Sequence, residues 1–380
     1  MVVRLERERF LFPVPSIREA IMKTKLILAA ALIAATCSAQ VSLKSEPGEM
    51  PQIKNAKLET VAASGNLQQQ IEAFASRQSG TAWIGYAVPA ISSHRTICCY
   101  DGGWQERSCC GTCRLSSERN SFSGSRDDCD DVEVTSLAVL YRVEDKKIDS
   151  IRVFSQNCSI DAGDLPVSVI TKVDPRQSVT YLASFVTKDG NSHLERRALD
   201  AIAEHADASA DGALDRFAAA DYPEKIREHA AFWLGVSRGE HGYATLKRLI
   251  ESDPDDHFRD KLTFPISQSS EPQAQDELIH VAKGDSSSRV RGQALFWLAQ
   301  KAGKKVAGAI SDAIDNDPDT DVKKKAVFAL SQMPDHEGVP KLIEVARNNR
   351  NPAVRKQAVF WLGQSNDPRA LDFITSVLTH

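Results

Sequence analysis

Cysteine supplies the most reactive side chains in this chain, and six of the eight stand between residues 98 and 129: Cys98, Cys99, Cys109, Cys110, Cys113 and Cys129. Cys158 follows them and Cys37 lies well before. Three chemistries use such a set. Oxidised in pairs, the thiols brace a small domain. As thiolates, Cys98, Cys99, Cys110 and Cys113 would hold a tetrahedral zinc ion, although adjacent cysteines are awkward ligands. Cys110-Gly-Thr-Cys113 has the spacing of a redox motif, in which a helix start lowers the pKa of the first thiol. Its flanks, Gln-Glu-Arg-Ser and Arg-Leu-Ser-Ser, supply neither the preceding strand nor the following helix. His94 and Arg95 stand just upstream, where a histidine could serve a thiolate as base.

The choice among these depends on the redox compartment. Met22-Lys-Thr-Lys25, ten apolar residues from Leu26 to Ala35, and Cys37-Ser-Ala39 ahead of Gln40 form the pattern of a secretory signal peptide. Ten residues are too few to span a bilayer, which takes about 20. The pattern predicts export to the periplasm or the exterior, initiation at Met22 and a mature chain from Gln40. Processing removes Cys37, and a disulfide framework among the other seven is the expectation, with at least one thiol left over. No cofactor or metal is expected from this reading, and a thiol-redox or metal-binding enzyme centred on Cys98 to Cys113 stays as the alternative. A net charge of -4 and a pI near 6.2 lack the basic footprint of nucleic-acid binding.

Residues 40–59 are polar, hold Pro47-Gly48 and Pro51, and are expected to be a flexible lead-in after the signal region at 1–39. Residues 60–190 predict a small disulfide-braced α+β domain. Leu67 to Ser76 suits a helix, and Thr81 to Val88 a strand with Trp83, Gly85 and Ala87 on one face and Ile84, Tyr86 and Val88 on the other. Leu137, Val139, Tyr141 and Val143 alternate before a turn at Glu144 to Lys147, and Ile151 and Val153 resume, which predicts a hairpin. Val167 to Val173 predicts another strand, closed by Asp174-Pro175 as the start of a helix, with Gln177 completing a capping box.

From residue 191 to 380 the sequence repeats at a shift of 32. Phe232, Phe264, Phe296, Phe328 and Phe360 fall in one column, with Leu or Ile two residues later and Ala or Leu two before. A second set runs through Leu246, Leu278, Ile310, Leu342 and Ile374. Each set is expected on one helical face, so each unit is two helices and six units stack into an all-α solenoid. Trp233, Trp297 and Trp361, beside the phenylalanines, are expected to pack between layers. Asp221, Asp253, Asp285 and Asp317 with Asn349 precede Arg227, Arg259, Arg291, Lys323 and Arg355, and predict an acid-to-base ladder tying each interrepeat turn to the helix after it. Pro265, inside the first helix of its unit, predicts a kink or an early end and a weak stretch at 256–272.

Val290-Arg291, Val322-Lys323 and Val354-Arg355, each followed by Ala-x-Phe-(Trp/Ala)-Leu, resemble the first helix of HEAT repeats, especially the bacterial HEAT-like units of phycobilisome lyases. TAWIGYAVP, the cysteine pairs and IRVFSQNC resemble the region that precedes such repeats in exported bacterial proteins of unknown activity. The resemblance implies a solenoid that serves many functions. Bilin handling, which the lyases would imply, has no support from an exported chain. Deoxyhypusine hydroxylase, a HEAT-like enzyme, binds iron through His-Glu pairs; Glu228-His229, Asp260-Lys261, Gly292-Gln293, Lys324-Lys325 and Lys356-Gln357 stand at those positions here, and none is His-Glu. With no phosphate loop, nucleophile elbow or carboxylate pair in view, the expectation is a non-enzymatic scaffold holding a protein partner. The inner face, lined by second helices, is the expected docking surface, with Tyr243, Lys247, Arg248, Lys341, Glu344 and Phe373 as contacts because they lie off the apolar columns.

Overall fold

A computed structural model describes residues 48–93, 97, 112–116, 133–188, 193–301 and 303–379. The signal-peptide pattern, the Met22 start, His94 and Cys98, Cys99, Cys109, Cys110 and Cys129 lie outside the described residues.

The N-terminal region is α/β. Strands β1 (Gln52–Lys54) and β2 (Lys57–Ala62) are followed by helix α1 (Leu67–Ala75), and then by β3 (Ala82–Ser93) and β4 (Thr112–Arg114). Next come β5 (Val134–Glu144), β6 (Lys147–Ser155), β7 (Ser159–Asp161), β8 (Pro166–Thr171) and α2 (Pro175–Ser184). The main sheet has the order β2-β8-β3-β5-β6, with β2, β8 and β3 parallel and the rest antiparallel. The expected β5–β6 hairpin turns at Asp145 and Lys146, whose φ values of 47° and 67° suit a tight two-residue turn.

Both faces of this sheet are covered, which is why its strands carry large apolar residues on each side. Tyr86, Val88, Val139 and Tyr141 pack toward α1, α2 and the solenoid. Trp83, Leu140 and Phe154 pack with Cys113, Cys158 and Ile160 on a small parallel sheet of order β1-β7-β4. The lead-in expected through residue 59 is thus in strands from Gln52 onward, because Gln52 to Lys54 and Lys57 to Ala62 each find a parallel partner. Asp174 caps α2 through the Arg176 N–H, as expected. Gln177 departs from the capping-box role: its side chain accepts the Leu67 N–H at 2.8 Å, fastening α1 to α2.

Among the described residues, the remainder forms six helix pairs: α3 (His193–Glu204) and α4 (Ser209–Phe217), α5 (Glu224–Ser237) and α6 (Gly239–Ser252), α7 (Asp256–Gln268) and α8 (Ala274–Gly284), α9 (Ser288–Ala299) and α10 (Lys304–Asn316), α11 (Thr320–Ser331) and α12 (Val339–Asn348), α13 (Pro352–Gly363) and α14 (Pro368–Leu378). First helices pack on first helices, α5 on α7, α7 on α9, α9 on α11 and α11 on α13, while α3 lies against α2 and β6. Asp255, Asp319, Asn351 and Asp367 cap the helices that follow them through backbone N–H groups. Helix α7 runs through Pro265 to Gln268, so the expected early end does not occur. Pro265 is buried, and its backbone lies against Gly235 of α5, where only a residue without Cβ leaves room.

The ladder of acids and bases is present, with a different register from the expected one. Arg259 forms a two-pronged bond to Asp285 at 2.9 and 3.0 Å, and Arg291 to Asp317 at 2.8 and 3.0 Å; Arg227 pairs with Asp253. Each arginine therefore holds the aspartate of the next unit. The aspartate before it contributes its carbonyl oxygen instead, Asp253 to Arg259 and Asp285 to Arg291, both at 2.9 Å.

Candidate functional site

Helical geometry decides which repeat residues face outward. Ala230 and Leu234, four apart, share the buried face of α5, and Ala294 and Leu298 do the same on α9. The phenylalanine between them is two residues from each, a rotation of about 200° at 3.6 residues per turn. It faces the other way. Phe232, Phe264, Phe296 and Phe328 are accordingly only half-buried, and Phe360 is 53% exposed. The expectation of one common face for the Ala, Phe and Leu columns fails at this point.

These rings form a stripe along the first helices. Phe232 stacks on Phe264 at 6.1 Å, Phe264 meets Trp297 at 4.6 Å, Phe296 stacks on Phe328 at 6.0 Å and Phe328 meets Trp361 at 4.8 Å. The tryptophans do pack between layers, joining one phenylalanine to the next. Trp233 is fixed differently: Asp200, standing in the phenylalanine column of the first unit, accepts its indole N–H at 2.9 Å and the His229 Nε2 contact at 2.7 Å.

Where Pro265 takes the place of a tryptophan, the stripe opens into a groove of about 710 Å³. Its lining comes from one face of four successive first helices: Arg196 of α3; Lys225, Glu228, His229 and Phe232 of α5; Asp260, Lys261, Phe264 and Pro265 of α7; Gln293 and Trp297 of α9. Burial raises the Glu228 and Asp260 carboxyls above the usual range, with Lys261 opposing it in both. Neither carboxylate has a ligand-like arrangement around it. Among the described residues no group of three or more His, Cys, Asp or Glu side chains is placed to hold a metal.

The candidates expected on second helices are dispersed over α6, α12 and α14. Phe373 is buried at 5% exposure with the Arg347 guanidinium over its ring, so it serves the core and cannot be a contact. Lys247 is bonded to Glu277 at 2.7 Å, and Lys341 to Glu344 at 2.8 Å. Burial raises the Tyr243 pKa, and the ring packs partly into the core. Arg248 and Glu344 are exposed. Cys113 and Cys158 are both buried at 2% in the core between the two sheets.

The groove was missed in the sequence although its signal was there, as a phenylalanine column out of phase with its neighbours. No helix among the described residues is long and apolar enough to cross a membrane.

A family model for HEAT repeats matches residues 275–349 and 307–380. A search of curated proteins finds no match. Among solved structures, human deoxyhypusine hydroxylase in complex with glycerol is similar at 17% identity and a TM-score of 0.24, over 53% of this chain and 77% of that one. The complex of CpcE and CpcF of phycocyanin lyase from Nostoc sp. PCC7120 is similar at 22% identity and a TM-score of 0.32, over 42% of this chain and 100% of that one. Residues 275–380 carry HEAT repeats, and the helix pairs from Glu224 onward continue the same layered arrangement toward the N-terminal α/β region.

Proposed function

We propose that this is an exported, non-enzymatic scaffold whose solenoid holds another protein in the groove floored by Phe232, Phe264 and Trp297. The observation that carries the reading is the stripe of half-exposed rings: a soluble surface seldom leaves such an apolar run uncovered unless something docks on it. Aromatic side chains in a concave site rimmed by charge are also the usual anchors of protein interfaces. The N-terminal region would then be a rigid cap on the first helix pair, braced by disulfides formed after export. Its support is that Cys113 and Cys158 both sit in the buried core between the two sheets, where a cross-link would be shielded.

Pull-down from an envelope extract with the mature chain, compared with Trp297→Ala and Phe264→Ala, tests the binding. Loss of the captured partner in both variants, with circular dichroism unchanged, is expected. Equal capture by all three chains contradicts it. A fusion from Met22 should be cleaved after Ala39 and recovered outside the cytoplasm; intact, fully reduced chain in the cytoplasm removes the basis for the disulfides.

A further inference from the structure

The groove's charges are arranged asymmetrically, and that asymmetry names the chemistry of what fits. Arg196 and Lys225 stand on its rim with no hydrogen bond or ion pair among the described residues. Several other lysines of the solenoid are engaged, Lys247 with Glu277, Lys283 with Asp312, Lys305 with Asp276 and Lys341 with Glu344, while Lys301 and Lys356 are exposed without such a partner among the described residues but do not line the groove. Lys261, a groove residue, is the foremost of the cations that act on Glu228 and Asp260, with Lys325 and Arg289 also acting on Asp260. Two positive charges are therefore left without partners at one end of an aromatic floor.

Trp297 corresponds to Trp233 two units on, but the residue that would match Asp200 is Phe264, so the Trp297 indole N–H has no acceptor among the described residues. The groove crosses α3, α5, α7 and α9, three interlayer steps of roughly 9 Å. That is about 27 Å, or on the order of eight residues of extended chain.

We propose, resting on the groove reading above, that the bound segment is an extended acidic peptide with aromatic side chains: its carboxylates on Arg196 and Lys225, its rings against Phe264 and Trp297. Charge complementarity favours this occupant over a basic or neutral one. A nucleic-acid strand, also anionic, is the rival occupant that the oligothymidine arm of the test below decides.

Fluorescence anisotropy with the mature chain tests it, using fluorescein-labelled Gly-Asp-Phe-Glu-Pro-Asp-Phe-Glu-Gly, a version with every acid replaced by lysine, a version with every phenylalanine replaced by serine, and a single-stranded oligothymidine. The acidic aromatic peptide is expected to bind at least about tenfold more tightly than the other three. Lys225→Glu and Arg196→Glu, both at exposed positions, are expected to weaken it about tenfold and to flatten its salt dependence. Equal or tighter binding of the lysine peptide or the oligothymidine, or indifference to both charge reversals, overturns the inference. If no peptide binds while Trp297→Ala still abolishes capture of the envelope partner, the acidic-peptide inference falls and the groove reading stands.

Discussion

Gly235 of α5 and Pro265 of α7 meet backbone to ring: a Cβ built on Gly235 would lie 2.7 Å from the Pro265 carbonyl carbon and 2.8 Å from its Cβ. Helices α5 and α7 approach closely at this pair, and the groove, lined by Pro265, opens beside the contact. Gly235→Ala is expected to destabilise the protein by about 2 kcal/mol through overpacking. Gly308→Ala, in α10 with nothing within 4 Å, is expected to be neutral or to stabilise by up to about 1 kcal/mol. Urea unfolding of the two variants measures the difference; equal effects would mean the layers slide apart to accept a methyl.

The interrepeat ladder gives a second contrast. Arg291 and Asp317 have side chains only 9% and 5% exposed, whereas Arg142 and Asp149 on the β5–β6 hairpin form a pair at 21% and 35%. Arg291→Met leaves the buried Asp317 carboxylate without its charge partner, keeping only the Asp319 N–H, and is expected to cost about 3 kcal/mol. Arg142→Met is expected to cost under about 1 kcal/mol. Similar losses in chemical unfolding would show that the buried rungs contribute no more than surface pairs.

Acid should loosen the join between the α/β region and the solenoid. His205 Nδ1 faces the Ala201 carbonyl oxygen at 2.7 Å and Nε2 meets the Ser178 hydroxyl at 2.7 Å; that hydroxyl also contacts Tyr86, which contacts Tyr141. Burial, with the nearby Arg238 charge adding to it, lowers the His205 pKa to about 4 from an ordinary 6.5. The unfolded chain takes up this proton first as pH falls. The stability is therefore complete above about pH 6.5 and is lost on the way down to about pH 4, a total on the order of 3 kcal/mol. Thermal unfolding from pH 7.5 to 4.5 should show the loss in the wild type and a flatter profile in His205→Gln. Parallel profiles would assign the acid sensitivity to other groups.

The last layer offers a further check on the repeat. Thr263, Leu295 and Val327 are fully buried, while Val359 in the same column is 36% exposed; Ile314 is buried and Leu378, two units on, is 81% exposed. Leu378→Lys is expected to leave the melting temperature unchanged and to improve solubility, whereas Ile314→Lys should unfold its layer. Destabilisation by Leu378→Lys would reveal a packed role for that side chain.

The helix pairs, the hairpin and the cap at Asp174 were legible because each rests on a local pattern: a shift of 32 residues, alternation, and an acid ahead of proline. What escaped the sequence was set by tertiary contact. Gln177 looks like a capping-box residue, yet the donor it accepts is the Leu67 N–H of another helix. Asp285 stands six residues before Arg291 but gives that arginine only its carbonyl, because the carboxylate is taken by Arg259 of the preceding layer. The phenylalanine column was visible and its direction was misjudged, since a step of two in a helix turns a side chain to the far side. The cation pattern around the groove could not be seen at all without knowing which lysines find partners across layers.

Photo-crosslinking in cells tests the central claim most directly, with p-benzoylphenylalanine placed at Phe264 in the first-helix groove or at Arg248, exposed on the second helix α6. A discrete adduct of higher mass at position 264 and none at 248 is expected. An adduct at 248 without one at 264 would place the partner on the second helices and contradict the account.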